Sequence, residues 1–127
     1  MFWTTIAVSL TALLALILAF MVVQVRRAEA VGIGHRDNRR LELRIRAHAN
    51  LIEYAVFALP LIALLEYHQA PSWLLATVTI GWVVGRMLHP WGLIAGAGRI
   101  HIGRVLGTLA SWLTMAIGAI ANLVLIG

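Results

Sequence analysis

The 127-residue chain contains no cysteine. That excludes disulfides, thiolate metal sites and a cysteine nucleophile. It also contains no lysine. All 10 basic side chains are arginine, set against 5 acidic residues and 5 histidines, for a formal charge of +5. Charged residues make up only 12%, about half the roughly 25% usual in a soluble domain. A water-soluble globular domain is excluded on that ground. Surplus arginine in a polar chain would point to nucleic acid. Here the arginines fall between long apolar runs, so orientation in a bilayer accounts for them and no nucleic-acid partner is expected. In place of charge the chain has apolar side chains, 61% of the total, and a mean hydropathy of +0.91. One span takes roughly 20 residues, so four take about 80 and leave short loops. No room is left for a second, soluble domain.

The first apolar run, Met1 to Val25, carries no charge. It is too long for a cleaved leader and has no basic segment before it, so it reads as a first transmembrane helix over 3–26. A polar stretch follows from Arg26 to Arg46, broken by Gly32 and Gly34. A second helix is expected over 41–66, starting near Asn38 or Leu41 and kinked at Pro60. Glu66 to Ser72 forms a turn. A third helix is expected over 72–89, stopping at His89-Pro90. A glycine-rich loop with Gly92, Gly96 and Gly98 then leads to a fourth over 102–126. The expected fold is an all-α membrane protein, one four-helix transmembrane bundle over residues 1–127.

Seven arginines lie between spans one and two, and Arg86, Arg99 and Arg104 lie at or between the ends of spans three and four. With four spans these two regions share a side, which the positive-inside rule assigns to the cytoplasm, with both termini outside. Trp3, Trp73 and Trp91 suit the membrane interfaces. Trp82 and Trp112 fall inside spans, as packing or lipid-facing residues. Gly81 and Gly85, and Gly103 and Gly107, form two GxxxG pairs. Small residues let helices approach closely in lipid. Packing within one bundle and a subunit interface are both open readings. Of the histidines, His35 and His68 read as solvated, and His101 as a solvated loop residue or a headgroup contact. Scattered histidines without clustered carboxylates make no metal site.

Charge at membrane depth is the informative signal, because each mid-span charge costs about 2.5–3.5 kcal/mol on insertion scales. Arg46, Asn50, Glu53 and Tyr54 lie at helical offsets 0, 4, 7 and 8 and share one face. The stripe offers a cation, an amide, a carboxylate and a phenol. It can bind a zwitterionic ligand. It can equally satisfy itself, Arg46 with Glu42 and Glu53 with Arg86 or Arg104.

Arg46-x-x-x-Asn50-x-x-Glu53-Tyr54, early in the second of four spans, resembles the signature of the MAPEG family (membrane-associated proteins in eicosanoid and glutathione metabolism). Arg26-Arg27 closing the first helix is similar to the family's arginine pair. Gly85-Arg86-x-x-His89 resembles its third-helix end, and Arg104 the arginine beside the glutathione sulfur. The likeness extends over essentially the whole chain in the number, order and loop lengths of the spans. It implies a homotrimer in a bacterial inner membrane, with glutathione as co-substrate at the subunit interface and no metal. The implied activity is transferase or peroxidase chemistry on a lipophilic small molecule drawn from the membrane lipids. The alternative is a non-catalytic lipid- or small-anion-binding protein of the same fold. By the same likeness Arg26, Arg46, His48, Asn50, Glu53, Tyr54, Arg86 and His89 hold the tripeptide. Arg104 is the catalytic residue, with Arg99 as a further candidate for the sulfur contact. Eicosanoid-forming members carry tyrosines near the end of helix three, whereas Met87 to Leu93 contains none.

Overall fold

The computed structural model describes residues 1–127 as four helices and no strand. They are α1 (Phe2–Ala28), α2 (Arg39–Tyr67), α3 (Ser72–Ala95) and α4 (Ile102–Ile126). Consecutive helices run antiparallel. α2 and α3 form the middle of the bundle. α1 packs on one side of that pair and α4 on the other, without approaching each other closely.

The core follows from spacing. On α2 the buried residues are Leu41, Ala47, Leu51, Ala55, Ala58, Ile62 and Leu65, one stripe at intervals of three and four beyond Ala47. Against it stand Leu75, Val78 and Trp82 of α3. Trp82 is 0% exposed, and its indole Nε1 donates to Thr11 Oγ1 of α1 at 2.9 Å. That bond satisfies the one polar atom of the side chain and ties α1 to α3. α1 buries only Ala7, Thr11, Leu18 and Val25. Leu13, Leu16, Ile17 and Phe20 on its other faces are exposed. So continuous an apolar exterior is the surface of a helical membrane bundle.

Three of the four helices, α1, α2 and α4, are long and apolar enough to cross a membrane by length and composition. The expected four-span pattern is weakest at α3. At 24 residues it is about 36 Å long, so its length suffices. Arg86, His89, Pro90 and its glycines lower its apolarity, and Arg86, His89 and Pro90 are buried among its neighbours. Polar groups in a lipid-embedded bundle face inward, and α3 is accordingly the most enclosed of the four helices.

Helix ends are set by local chemistry. Asn38 caps α2, its side chain accepting from Leu41 N at 3.0 Å. His101 caps α4, its Nδ1 accepting from Gly103 N at 3.2 Å. It stands edge-on to Trp91, so this histidine is a capping residue. α1 has no cap of its own. Glu66 of α2 supplies one, with Oε1 accepting from Trp3 N at 3.1 Å and Oε2 from Thr4 N at 2.9 Å. A carboxylate there also complements the helix dipole. At the other end, Arg44 Nη1 donates to Met21 O of α1 at 2.8 Å.

α3 does not stop at His89. It continues through Pro90 to Ala95. A proline inside a helix removes one hydrogen bond and crowds one carbonyl, and close packing against α4 holds the helix together across that gap. Gly92 therefore belongs to the helix. A Cβ there would collide with the backbone of Gly103 and Arg104. Pro60 likewise sits inside an uninterrupted α2.

Of the two readings of the GxxxG pairs, the structure realises packing within the bundle. A Cβ on Gly107 would lie 2.5 Å from His89 N and 2.7 Å from Gly85 O, and one on Gly85 would lie 3.1 Å from Gly107 O. Gly81 faces Thr114, and Gly103 faces Trp91 and Gly92. The two small-residue faces thus meet each other, backbone to backbone. Gly107→Ala is expected to destabilise the protein by about 1–3 kcal/mol, because backbone cannot yield as a side-chain tip does. Gly32→Ala, whose Cβ would meet nothing within 4 Å, serves as control. Melting of the two variants in detergent checks this.

Candidate functional site

The antiparallel order brings the α1–α2 and α3–α4 loops to one end of the bundle, and a polar cleft opens there between α2, α3 and α4. Its volume is about 200 Å³. α2 supplies Arg39, Glu42, Leu43, Arg46 and Asn50, α3 supplies His89 and Leu93, the α3–α4 loop supplies Gly98, and α4 supplies Arg104. The α2 residues follow offsets 0, 3, 4, 7 and 11, one helical face. The stripe seen in the sequence is therefore real but begins two turns earlier, with Arg39 and Glu42. Of the two starts the sequence offers, Asn38 and Leu41, the structure uses Asn38 as the N-cap, and the same periodicity carried from there takes in Arg39 and Glu42.

The ion pairing of the cleft is incomplete. Arg39 Nη1 pairs with Glu42 Oε2 at 2.7 Å, and Arg39 Nη2 reaches Ala97 O at 3.4 Å. Arg46 Nη1 lies 3.6 Å from Glu53 Oε1, with the two side chains 57% and 53% exposed. Arg104 has no acidic partner. Its Nη1 donates to Gly98 O at 3.0 Å. Among the lining residues three guanidiniums face one carboxylate, so the cleft carries positive potential and suits an anion.

Other expected site residues are distributed around this cleft. Asn50 and His89 line it directly. Arg86 lies behind Asn50, its Nη1 donating to Asn50 Oδ1 at 3.0 Å and its Nη2 to Gly107 O at 3.2 Å. Its guanidinium carbon sits 4.9 Å from the Tyr54 ring centroid and 5.3 Å from that of Trp82, within cation–π range. Glu53 therefore pairs with Arg46, not with Arg86 or Arg104. Tyr54 packs outside the cleft, over Arg86, and its hydroxyl accepts from Trp112 Nε1 at 2.9 Å. His48 is half-buried on another side of α2 and does not line the cleft. Arg99 is exposed and outside it. Arg26 is turned to the α1–α2 loop, where its Nη1 lies 3.3, 3.2 and 3.1 Å from the carbonyls of Val31, Gly32 and Gly34. Of the two arginines considered for the sulfur, only Arg104 lines the cleft.

Arg104 faces two environments. Besides the polar cleft it borders an open groove of about 350 Å³ along α4, lined by Ile100, Val105, Thr108, Leu109 and Trp112. The groove is largely apolar. One guanidinium thus stands where a polar cleft meets an apolar groove. Such a boundary suits chemistry between a polar and a lipophilic reactant.

A helical membrane bundle with a basic cleft at one end is the class that fold and site define. Comparison with known proteins narrows it. The model of the MAPEG family matches residues 4–124, and the chain belongs to that family. It is 31% identical to inner membrane protein YecN of Escherichia coli (strain K12) over 114 residues, covering 90% of this chain and 85% of that protein. It is 29% identical to the Synechocystis sp. protein sll1147 over 121 residues, again 90% and 85% of the two chains. No solved structure gives a significant match.

Because the chain has no cysteine, single cysteines can report on water in the cleft. A cysteine at Leu43, which lines it, is expected to react fast with a water-soluble maleimide. One at Val56, on the apolar exterior of α2, is expected to react slowly in vesicles, where lipid suppresses the thiolate.

Proposed function

We propose that the protein is an integral membrane glutathione-dependent transferase or peroxidase acting on lipophilic electrophiles or hydroperoxides. The observation that carries this reading is Arg104, which lacks a counter-ion and is shared between the basic cleft and the apolar groove of α4. Glutathione is a net anion with two carboxylates, and Arg39 and Arg46 offer guanidinium forks for them. Asn50 offers an amide for peptide groups, and Glu42 a carboxylate for the ammonium.

The thiol must ionise to react. A free thiol has a pKa of about 8.5, so only a small fraction is thiolate at neutral pH. A guanidinium beside the sulfur favours the charged form and lowers that pKa. Arginine suits the task because it stays protonated where water is scarce. A lipophilic electrophile partitions from the bilayer into the groove. The thiolate attacks its carbon and displaces the leaving group, giving a thioether. With a hydroperoxide the thiolate attacks the terminal oxygen instead, the O–O bond breaks and the alkoxide leaves as the alcohol after protonation. A second glutathione then displaces water from the resulting sulfenic acid to give the disulfide.

The cleft is walled by three helices, and the Arg46–Glu53 pair on α2 remains half-exposed. Its open side leaves room for a covering protein surface. A homotrimer supplies it from a second copy of the chain. With the arginine-rich loops at one end of the bundle, that end is assigned to the cytoplasm and both termini to the outside. The membrane is read as a bacterial inner membrane.

Glutathione is expected to raise the melting temperature in detergent. Arg104→Ala is expected to abolish conjugation of 1-chloro-2,4-dinitrobenzene, or to leave a residual rate whose pH midpoint moves up toward about 8.5, with the oligomer intact. Arg99→Ala keeps the activity. If neither stability nor turnover responds to glutathione, the reading fails in favour of a non-catalytic lipid- or anion-binding protein.

A further inference from the structure

Arg86 resembles a ligand contact by its position in the chain, yet the geometry gives it a different part. It is 2% exposed and does not line the cleft. It forms no ion pair, and its Nε has no hydrogen-bond partner. A guanidinium has donors and no acceptor. Asn50 must therefore turn its amide oxygen toward Arg86, and Oδ1 lies 3.0 Å from Nη1. The other end of the amide, Nδ2, makes no hydrogen bond within the subunit and belongs to a residue that lines the cleft. An unconstrained asparagine can present either end to a ligand. With Arg86 behind it, Asn50 presents only N–H.

We infer that Arg86 is a positioning residue that fixes the polarity of Asn50, making this point of the cleft a hydrogen-bond donor that selects a carboxylate or carbonyl oxygen on the ligand. The guanidinium is itself held in place. Its Nη2 donates to Gly107 O, and the Tyr54 and Trp82 rings cover it. The inference deepens the proposed glutathione reading and rests on it for the identity of the acceptor. The Arg86–Asn50 pairing stands apart from it.

The test is a double-mutant cycle on the full chain in detergent, with Arg86→Met, Asn50→Ala and their combination, and with Asn50→Asp alongside. Two quantities are read, the melting temperature without ligand and the Kd for glutathione. Arg86→Met is expected to raise Kd about tenfold, in line with loss of a charge-assisted bond. In the Asn50→Ala background the same change is expected to alter Kd by less than about twofold. Asn50→Asp keeps Arg86 and gives it a counter-ion while turning only oxygens to the cleft. It is expected to melt above the wild type and to bind glutathione more weakly than Asn50→Ala does. Equal losses from Arg86→Met in both backgrounds, or wild-type affinity in Asn50→Asp, would overturn the inference. If the wild type binds no glutathione, the functional reading falls and the pairing is judged on melting alone. Non-additive melting of Arg86→Met and Asn50→Ala then supports it, and additive melting overturns it.

Discussion

A guanidinium enclosed by helices at membrane depth has to be satisfied by protein, because lipid offers it nothing. Arg86 meets that demand with an amide from α2, a carbonyl from α4 and two aromatic faces. Each partner comes at a structural condition. The Gly107 carbonyl is within reach because Gly85 and Gly107 let α3 and α4 touch backbone to backbone. Ser111 donates to the same carbonyl at 2.7 Å, so the contact is anchored from both helices. Trp82 lies under the guanidinium because Thr11 of α1 accepts its indole hydrogen. One buried cation thereby draws on all four helices.

The same arrangement accounts for where the cleft opens. Arg86 is enclosed behind Asn50, so the polar residues up to three turns nearer the loops are the ones left to line the cleft. Arg39, Arg46 and Arg104 gather there because the antiparallel order brings both arginine-bearing connections to one end. Arg104 then has the cleft on one side and the apolar groove of α4 on the other. A hydrophilic thiol and a membrane-dissolved electrophile can meet at that point without either leaving its own solvent.

Much of this was legible in the residues. Helix number and order follow from the apolar runs. The Arg46, Asn50, Glu53 and Tyr54 stripe follows from helical periodicity, and its likeness to the MAPEG signature agrees with the family match. What escaped was of three kinds. Proline at 90 reads as a stop, yet it costs a helix one bond, and packing against Gly103 and Arg104 outweighs that. Arg39 and Glu42 join the stripe only when the helix is counted from Asn38 rather than Leu41, and the stripe read from the sequence starts at Arg46. Arg26 and Arg86 carry the same charge as Arg46 and Arg104, but one is spent on loop carbonyls and the other on Asn50. No local pattern distinguishes an arginine that faces a ligand from one that holds its neighbour. Only the three-dimensional partners do.

The central claim is that the basic cleft receives a thiol tripeptide with its sulfur beside Arg104. An experimental structure of the protein in lipid nanodiscs with saturating glutathione tests it most directly. The account predicts density in the cleft with the sulfur next to the Arg104 guanidinium and a ligand oxygen facing Asn50 Nδ2. An empty cleft, or a ligand whose sulfur lies away from Arg104, would contradict it.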